Sequence, residues 1–278
     1  HHARRNSGNG FCQFNGLALA ALEALKKVKT VGILDLDAHA GGGTFDISVL
    51  AIGDGAKQVV ISAPATDSTI PMVVIGVNDQ QIDLQSPILS NASCTTNNVA
   101  PMVKILDDNW GVEEGYITTI HSMTGDQNLH DSPHKDLRRA RAASSSIIPT
   151  TTGAAKALTK IFPKLHNKMG GCGIRVPVPD GSLTDITFNV KRAVSIEEIN
   201  KAFQQASKTN LKGILDYTED PIVSVDVIGN THSCLFDAQL TSVIDKMVKV
   251  VGWYDNEIGY SSRIIDLILL INSKKLLA

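Results

Sequence analysis

The sequence predicts an α/β chain: a mostly antiparallel α+β domain with helices on one face of its sheet, preceded by a smaller unit of different character. Three observations carry that expectation. The 278 residues are 43% hydrophobic, which is enough apolar material for one large core or two ordinary ones. Strand-like runs outnumber crossover helices between residues 100 and 270, which disfavours a doubly wound sheet. The pattern also changes near residue 55, so residues 1–55 and 56–278 read as material of different origin.

Taken in order, Leu17 to Lys27 has helical spacing and Thr30 to Leu36 reads as a strand. Gly41-Gly42-Gly43 then opens an alternating run from Thr44 to Leu50. Gln58 to Ile61, Met72 to Val77 and Pro87 to Leu89 are short β-rich runs, the last leading into Ser90-Asn91-Ala92-Ser93-Cys94-Thr95-Thr96-Asn97. Helix patterns follow at 100–107, 153–162 and 196–207, and strand-like runs at 116–121, 183–190, 222–228 and 246–254. Residues 127–148 carry His, Lys, Arg and Ser without a regular period and are expected to form a long functional loop. A closing helix is expected over Ser261 to Leu270. The expected division is 1–92 as an atypical, truncated unit, 93–260 as the main domain, and 261–278 as a helix returning to the first unit.

A net charge of −2 gives no electrostatic case for nucleic acid or an anionic membrane surface as the main partner. Apolar runs such as Ile264 to Ile271 are broken by Asp266 and fall well below the ~20 residues of a membrane span. The four cysteines, Cys12, Cys94, Cys172 and Cys234, show no CxxC spacing, so free thiols in a reducing cytoplasm are expected, with no metal site in the main domain.

Cys94 lies at the start of a helix pattern, among small hydroxylated residues. Such a thiol meets unpaired N–H groups and the positive end of the helix dipole, which favour the nucleophilic thiolate. The alternative is a buried structural cysteine. His121 ends the run Tyr116 to Ile120, and beside it stands Thr124-Gly125-Asp126-Gln127. Cysteine and histidine together support covalent catalysis, because imidazolium stabilises a thiolate and imidazole can then move protons. On this reading Cys94 is alkylated selectively at neutral pH. A second theme is anion binding, through Arg138, Arg139 and Arg141, through Thr150-Thr151-Thr152-Gly153 at a helix start, and through Arg175. Taken singly, each is an ordinary solvated charge or helix cap.

Two short stretches resemble unrelated families. His1-His2, Gly10-Phe11-Cys12, Asn15 and Asp35-Leu36-Asp37-Ala38-His39 resemble the histone deacetylase core, which implies zinc ligands at Asp37 and His39 and a proton-handling pair at His1 and His2. No later segment resembles the one that supplies that family's third ligand. Gly41 to Leu50 resembles the phosphate-binding hairpin of Hsp70-type ATPases; the alternative is a Gly-rich turn entering a strand.

Residues 56–271 strongly resemble phosphorylating glyceraldehyde-3-phosphate dehydrogenase. The octet at 90–97, His121, Thr124 to Gln127, Asp136 to Ala143, Pro149 to Lys156, Lys212 to Thr218 and Trp253 to Glu257 all fall in that family's order. The resemblance implies that Cys94 attacks the aldehyde with His121 as base, that hydride passes to NAD, and that inorganic phosphate cleaves the thioester. It implies a substrate-phosphate pocket at Thr124, Asp126 and Arg175. The attacking phosphate would sit at Ser93, Thr95, Thr152 and Gly153, with Arg139 in the nearby arginine loop. Cofactor contacts are implied at Ser62 and Asn256, and residues 127–150 match a segment packed between subunits of a homotetramer.

The chain departs from the family at several points. Asn98 stands where a second cysteine is usual, Pro179-Asp180-Gly181-Ser182 replaces a more usual Asn-Val pair, and Ile258 occupies a common aromatic position. No G-x-G-x-x-G follows a strand, so the dinucleotide half is expected to be an incomplete Rossmann-like unit with weak NAD binding. Three other readings remain at this point: a zinc-dependent deacetylase-like hydrolase built on the N-terminal segment, a catalytically impaired binding or structural protein, and an erythrose-4-phosphate dehydrogenase.

Overall fold

The computed structural model describes residues 58–277. The expected helix, strand, glycine hairpin and metal-binding pair before residue 56 lie outside the described residues. The chain divides into two compact units, one comprising the described residues up to 93 together with those from 260 onward, the other spanning Cys94–Gly259.

In the first unit, β1 (Val59–Ile61) and β2 (Ile88–Ser90) pair in parallel, Val59 opposite Ile88 and Ile61 opposite Ser90. This parallel pair is the described part of the expected Rossmann-like unit. Val60, Val73, Leu84 and Leu89 pack with Leu267 and Ile271 of α4 (Ile258–Leu277). The two helical residues are spaced i, i+4 and so share one face. The run 72–77 is not the strand its β-rich composition suggests. It makes one parallel bridge, Met72 to Ser90, and then turns. Asn78 enforces the turn: its Oδ1 accepts from Val74 N at 2.7 Å and its Nδ2 donates to Met72 O at 2.9 Å, while Gly76 takes φ +80°.

The second unit is built on an eight-stranded sheet of order β4-β5-β3-β6-β10-β8-β7, with β9 beside β10. Its strands are β3 (Val112–His121), β4 (Ile148–Thr150), β5 (Met169–Arg175), β6 (Ser182–Val190), β7 (Leu215–Thr218), β8 (Cys234–Asp237), β9 (Ser242–Ile244) and β10 (Met247–Tyr254). Five pairings are antiparallel; β3 with β5 and β7 with β8 are parallel. The mostly antiparallel expectation therefore stands, with two parallel joins that a strand count does not reveal. The run 222–228 is not a strand, because residues Ser224–Val227 form a 3₁₀ turn. Asp226 closes that turn, its carboxylate accepting from Val223 N at 2.8 Å.

Helix α1 (Cys94–Trp110) lies against β6 and β10. It begins six residues before the apolar pattern does, because Thr95, Thr96, Asn97 and Asn98 are polar and buried, with Thr95 and Asn98 hydrogen-bonded, rather than part of an apolar stripe. Asn98 is one example: Nδ2 donates to the carbonyls of Ser233 and Trp253, both at 3.2 Å, tying the helix to the end of β10. This gives the substituted position a structural role. The helix stops at Gly111, which has φ +69°, and Asp107 accepts from Val112 N just beyond it. Helix α2 (Ala154–Ile161) and helix α3 (Ile196–Lys208) match their patterns closely, and α3 begins with a Ser195–Glu198 capping box.

Candidate active site

The parallel join of β3 to β5 sets the site. It places His121 opposite Arg175 at the last rung of the pairing, where both strands end. Cys94 heads α1, and its Sγ stands 3.5 Å from His121 Nε2. On the other side of the imidazole, Arg175 Nη1 reaches Nδ1 at 2.6 Å, and the Ser122 carbonyl oxygen lies 2.9 Å from the same nitrogen. The ring of Tyr254 meets that of His121 edge-on, centroids 6.1 Å apart. Tyr254 Oη also shares a 2.9 Å hydrogen bond with the Thr95 hydroxyl.

Burial dominates the protonation of this group. It pushes the Cys94 thiol up to about 11, against the opposing pull of Arg175 and of the Thr95 N–H and hydroxyl. Burial, followed by the Arg175 charge, pulls His121 down to about 3. Burial thus opposes the charged forms of both groups, while the helix start and Arg175 favour the thiolate expected from the sequence. Cys94 nonetheless keeps part of its surface open, so an electrophile can reach the sulfur. Selective alkylation of Cys94 at neutral pH is no longer expected, since Cys172 is the more exposed thiol.

The predicted anion-binding residues separate into groups. Thr124 donates its hydroxyl hydrogen to Asp126, and Arg139 forms an ion pair with the other oxygen of the same buried carboxylate. Arg139 Nε also donates to the Thr150 hydroxyl at 3.0 Å, joining the loop to the segment that carries Thr152 and Gly153. Those two residues sit at the head of α2, where Thr152 Oγ1 accepts from Ala154 N. Arg138 and Arg141 line a separate groove with Ile147, Ile148 and Pro149, so the arginine cluster of the sequence divides in space. Residues 127–148 fold on themselves: Ser132 N donates to Ala140 O and Ala143 N to Asn128 O.

Asn256 is buried, and its Oδ1 accepts from two hydroxyls, Ser122 at 2.9 Å and Ser182 at 2.7 Å. Ser62 follows β1 at its carboxyl end and Ser93 immediately precedes Cys94; both belong to the first unit. Sequence reasoning missed Tyr254, Ser122 and Ser182. Tyr254 stood in a quoted motif beside Asn256, whereas the two serines had no signal, because only the sheet register brings them together.

Residues 93–256 match the family profile of the glyceraldehyde 3-phosphate dehydrogenase C-terminal domain. The chain belongs to the glyceraldehyde-3-phosphate dehydrogenase family. It is 56% identical over 217 residues to glyceraldehyde-3-phosphate dehydrogenase of Mycobacterium avium and 55% identical to that of Mycobacterium tuberculosis H37Rv, each alignment covering 78% of this chain and 64% of the relative. It is 53% identical to glyceraldehyde-3-phosphate dehydrogenase 2 of Streptomyces avermitilis over 80% of this chain and 67% of that protein. The chain thus spans about 64% of the length of its mycobacterial relatives in the family. Residues 1–51 match the histone deacetylase domain profile and lie outside the described residues. Among the described residues, no cluster of His, Cys, Asp and Glu is arranged to hold a metal, and no helix is long and apolar enough to cross a membrane.

Proposed function

We propose that this chain oxidises glyceraldehyde 3-phosphate and phosphorylates it to 1,3-bisphosphoglycerate through a thioester on Cys94. The observation that carries the reading is the 3.5 Å approach of Cys94 Sγ to His121 Nε2, beside a guanidinium suited to a phosphate. Sγ adds to the aldehyde carbon as its proton passes to His121 Nε2, giving a hemithioacetal. The hemithioacetal oxygen, left as an alkoxide, becomes the thioester carbonyl as hydride leaves the carbon; NAD, which Ser62 and Asn256 would contact, would supply the hydride acceptor. Inorganic phosphate then attacks the thioester carbonyl, releases the acyl phosphate and returns the thiol. Arg175 and the Thr124 hydroxyl, held by Asp126 and Arg139, receive the substrate phosphate. Ser93, Thr95, Thr152 and Gly153 receive the attacking one.

Asn256 fits a nicotinamide carboxamide. With Oδ1 already taken by two hydroxyls, its Nδ2 hydrogens are the group left for a further acceptor. Ser62 stands at the carboxyl end of a parallel strand, where open α/β sheets bind ligands. Solvent-exposed Leu137 and Ile147 in the arginine loop support subunit contacts and a homotetramer. The free cysteines among the described residues support a cytoplasmic enzyme.

The test is formation of NADH from glyceraldehyde 3-phosphate, phosphate and NAD, with NAD binding measured in parallel by calorimetry. Cys94→Ser is expected to abolish turnover and His121→Asn to lower kcat by about 10²–10⁴. A chain that binds NAD and forms no NADH overturns the reading. Faster turnover of erythrose 4-phosphate overturns the substrate.

A further inference from the structure

Three neighbouring strands share one edge beside His121: β3 ends there, β6 begins there and β10 ends there. Ser122 follows the last residue of β3, Ser182 opens β6, and Asn256 lies two residues beyond β10. All three are buried and belong to the second unit. Their hydrogen bonds form a closed set. The Ser182 hydroxyl oxygen accepts from Ser122 N at 3.1 Å, and its hydrogen goes to Asn256 Oδ1 at 2.7 Å. The Ser122 hydroxyl gives its hydrogen to the same oxygen at 2.9 Å. Two donors on Oδ1 leave Nδ2 facing away from both hydroxyls, and a reversed amide would deprive both hydroxyl hydrogens of this acceptor. Ser122 also reaches the base through its backbone. Its carbonyl oxygen lies 2.9 Å from His121 Nδ1 and accepts from Arg175 Nη1 at 3.1 Å.

We propose that Ser122 and Ser182 are positioning residues that lock the Asn256 amide with Nδ2 outward, so that it meets the cofactor as a hydrogen-bond donor only. The proposal rests on the reading of Asn256 as the contact for a nicotinamide carboxamide. A donor-only Nδ2 selects the carboxamide oxygen, which is an acceptor, and so fixes which way round the carboxamide is held. Because the amide is oriented before anything binds, the cost of ordering it is not charged against the cofactor. Both serines act through Asn256 rather than on the reacting atoms. Removing either hydroxyl leaves a buried carbonyl oxygen short of one donor and frees the amide to turn. Since Ser122 meets the imidazole through its carbonyl and the amide through its hydroxyl, the cofactor contact is also held in register with His121.

The test has two readouts, neither of which needs turnover. In a chain labelled with ¹³C,¹⁵N-asparagine, the Asn256 Cγ signal, identified by its loss in Asn256→Ser, reports the hydrogen bonds that Oδ1 accepts. Ser122→Ala and Ser182→Ala are each expected to move it upfield, whereas Ser122→Thr, which keeps a hydroxyl, leaves it in place. Either alanine variant suffices if the other does not fold. Calorimetry then compares NAD with ADP-ribose, which lacks the nicotinamide. Each alanine variant is expected to weaken NAD by about threefold to tenfold and to leave ADP-ribose unchanged. In an Asn256→Ser background neither alanine should weaken NAD further. A Cγ signal that neither alanine moves overturns the locked orientation. Unchanged NAD affinity, or an equal loss for ADP-ribose, overturns the positioning role. A chain that binds ADP-ribose and NAD equally well overturns the nicotinamide contact itself, while the Cγ signal still decides the lock. A chain with the expected shifts and affinities that forms no NADH counts against the assigned reaction and leaves this proposal standing.

Discussion

Asp180 offers the sharpest test of how charge is managed near the site. It lies just past the last rung of β6 with β10, where Ser182 pairs with Tyr254. Asp255, next to that rung on the other strand, is almost fully buried, and its carboxylate accepts from the backbone N–H groups of Gly229, Glu257 and Ile258 at 2.7–2.8 Å. Burial, then the Asp255 charge and the more distant Glu257, push the Asp180 carboxyl up to about 7, with the Gly181 N–H opposing. Raising a carboxyl from 3.8 to about 7 corresponds to about 4 kcal/mol. Partial exposure screens this to about 2 kcal/mol. The folded chain holds the Asp180 proton more tightly than the unfolded chain. Stability therefore falls as pH rises from about 4 to about 7, and the full cost is present above that range. Asp180→Asn is neutral at every pH. It should match the parent near pH 4 and exceed it at pH 8 by about 2 kcal/mol, or roughly 4–8 °C in Tm. Thermal melts of both chains across pH 4–8 measure the difference, which cancels the titration of groups that do not interact with Asp180. A gap of constant size across that range would refute the reasoning.

Three further outcomes are expected. A methyl group at Gly115 would collide with the Phe188 ring and the Thr187 carbonyl across β6, so Gly115→Ala should cost about 3 kcal/mol or more in a urea melt. Iodoacetamide at pH 7.5, followed by peptide mapping, should label exposed Cys172 at least as fast as Cys94, while buried Cys234 stays unlabelled; the Cys94 rate should climb as pH rises towards 11. Arg139→Ala removes the ion pair made by the buried Asp126 carboxylate and should cost about 3 kcal/mol, and adding Asp126→Asn should recover most of that loss in a double-mutant cycle.

Local signals made some elements legible and hid others. Helix α3 announces itself through Ser195, Glu198 and the buried spacing of Ile199, Phe203 and Ala206. The first turn of α1 does not, because Thr95 to Asn98 are buried polar residues, Thr95 and Asn98 bonded to partners distant in the chain, and an apolar period cannot register them. The run 72–77 misleads for the opposite reason. Its composition is that of a strand, yet the Asn78 side chain supplies the hydrogen bonds that turn the backbone. In the same way, 222–228 alternates like a strand while the Asp226 carboxylate folds it into a 3₁₀ turn.

Cys94, His121 and the order of the motifs around them follow from the sequence alone, because nucleophile, base and spacing are properties of residue type and position. Three things required the fold. One is the parallel β3–β5 join, which lays Arg175 on the imidazole. Another is the convergence of Ser122 and Ser182 on Asn256. The last is the burial that pushes the thiol up and the imidazole down, which depends on how much water the packed chain excludes. Residue types specify which chemistry is available, whereas sheet register and burial depend on the whole chain and fix which groups meet at the thiol and the imidazole.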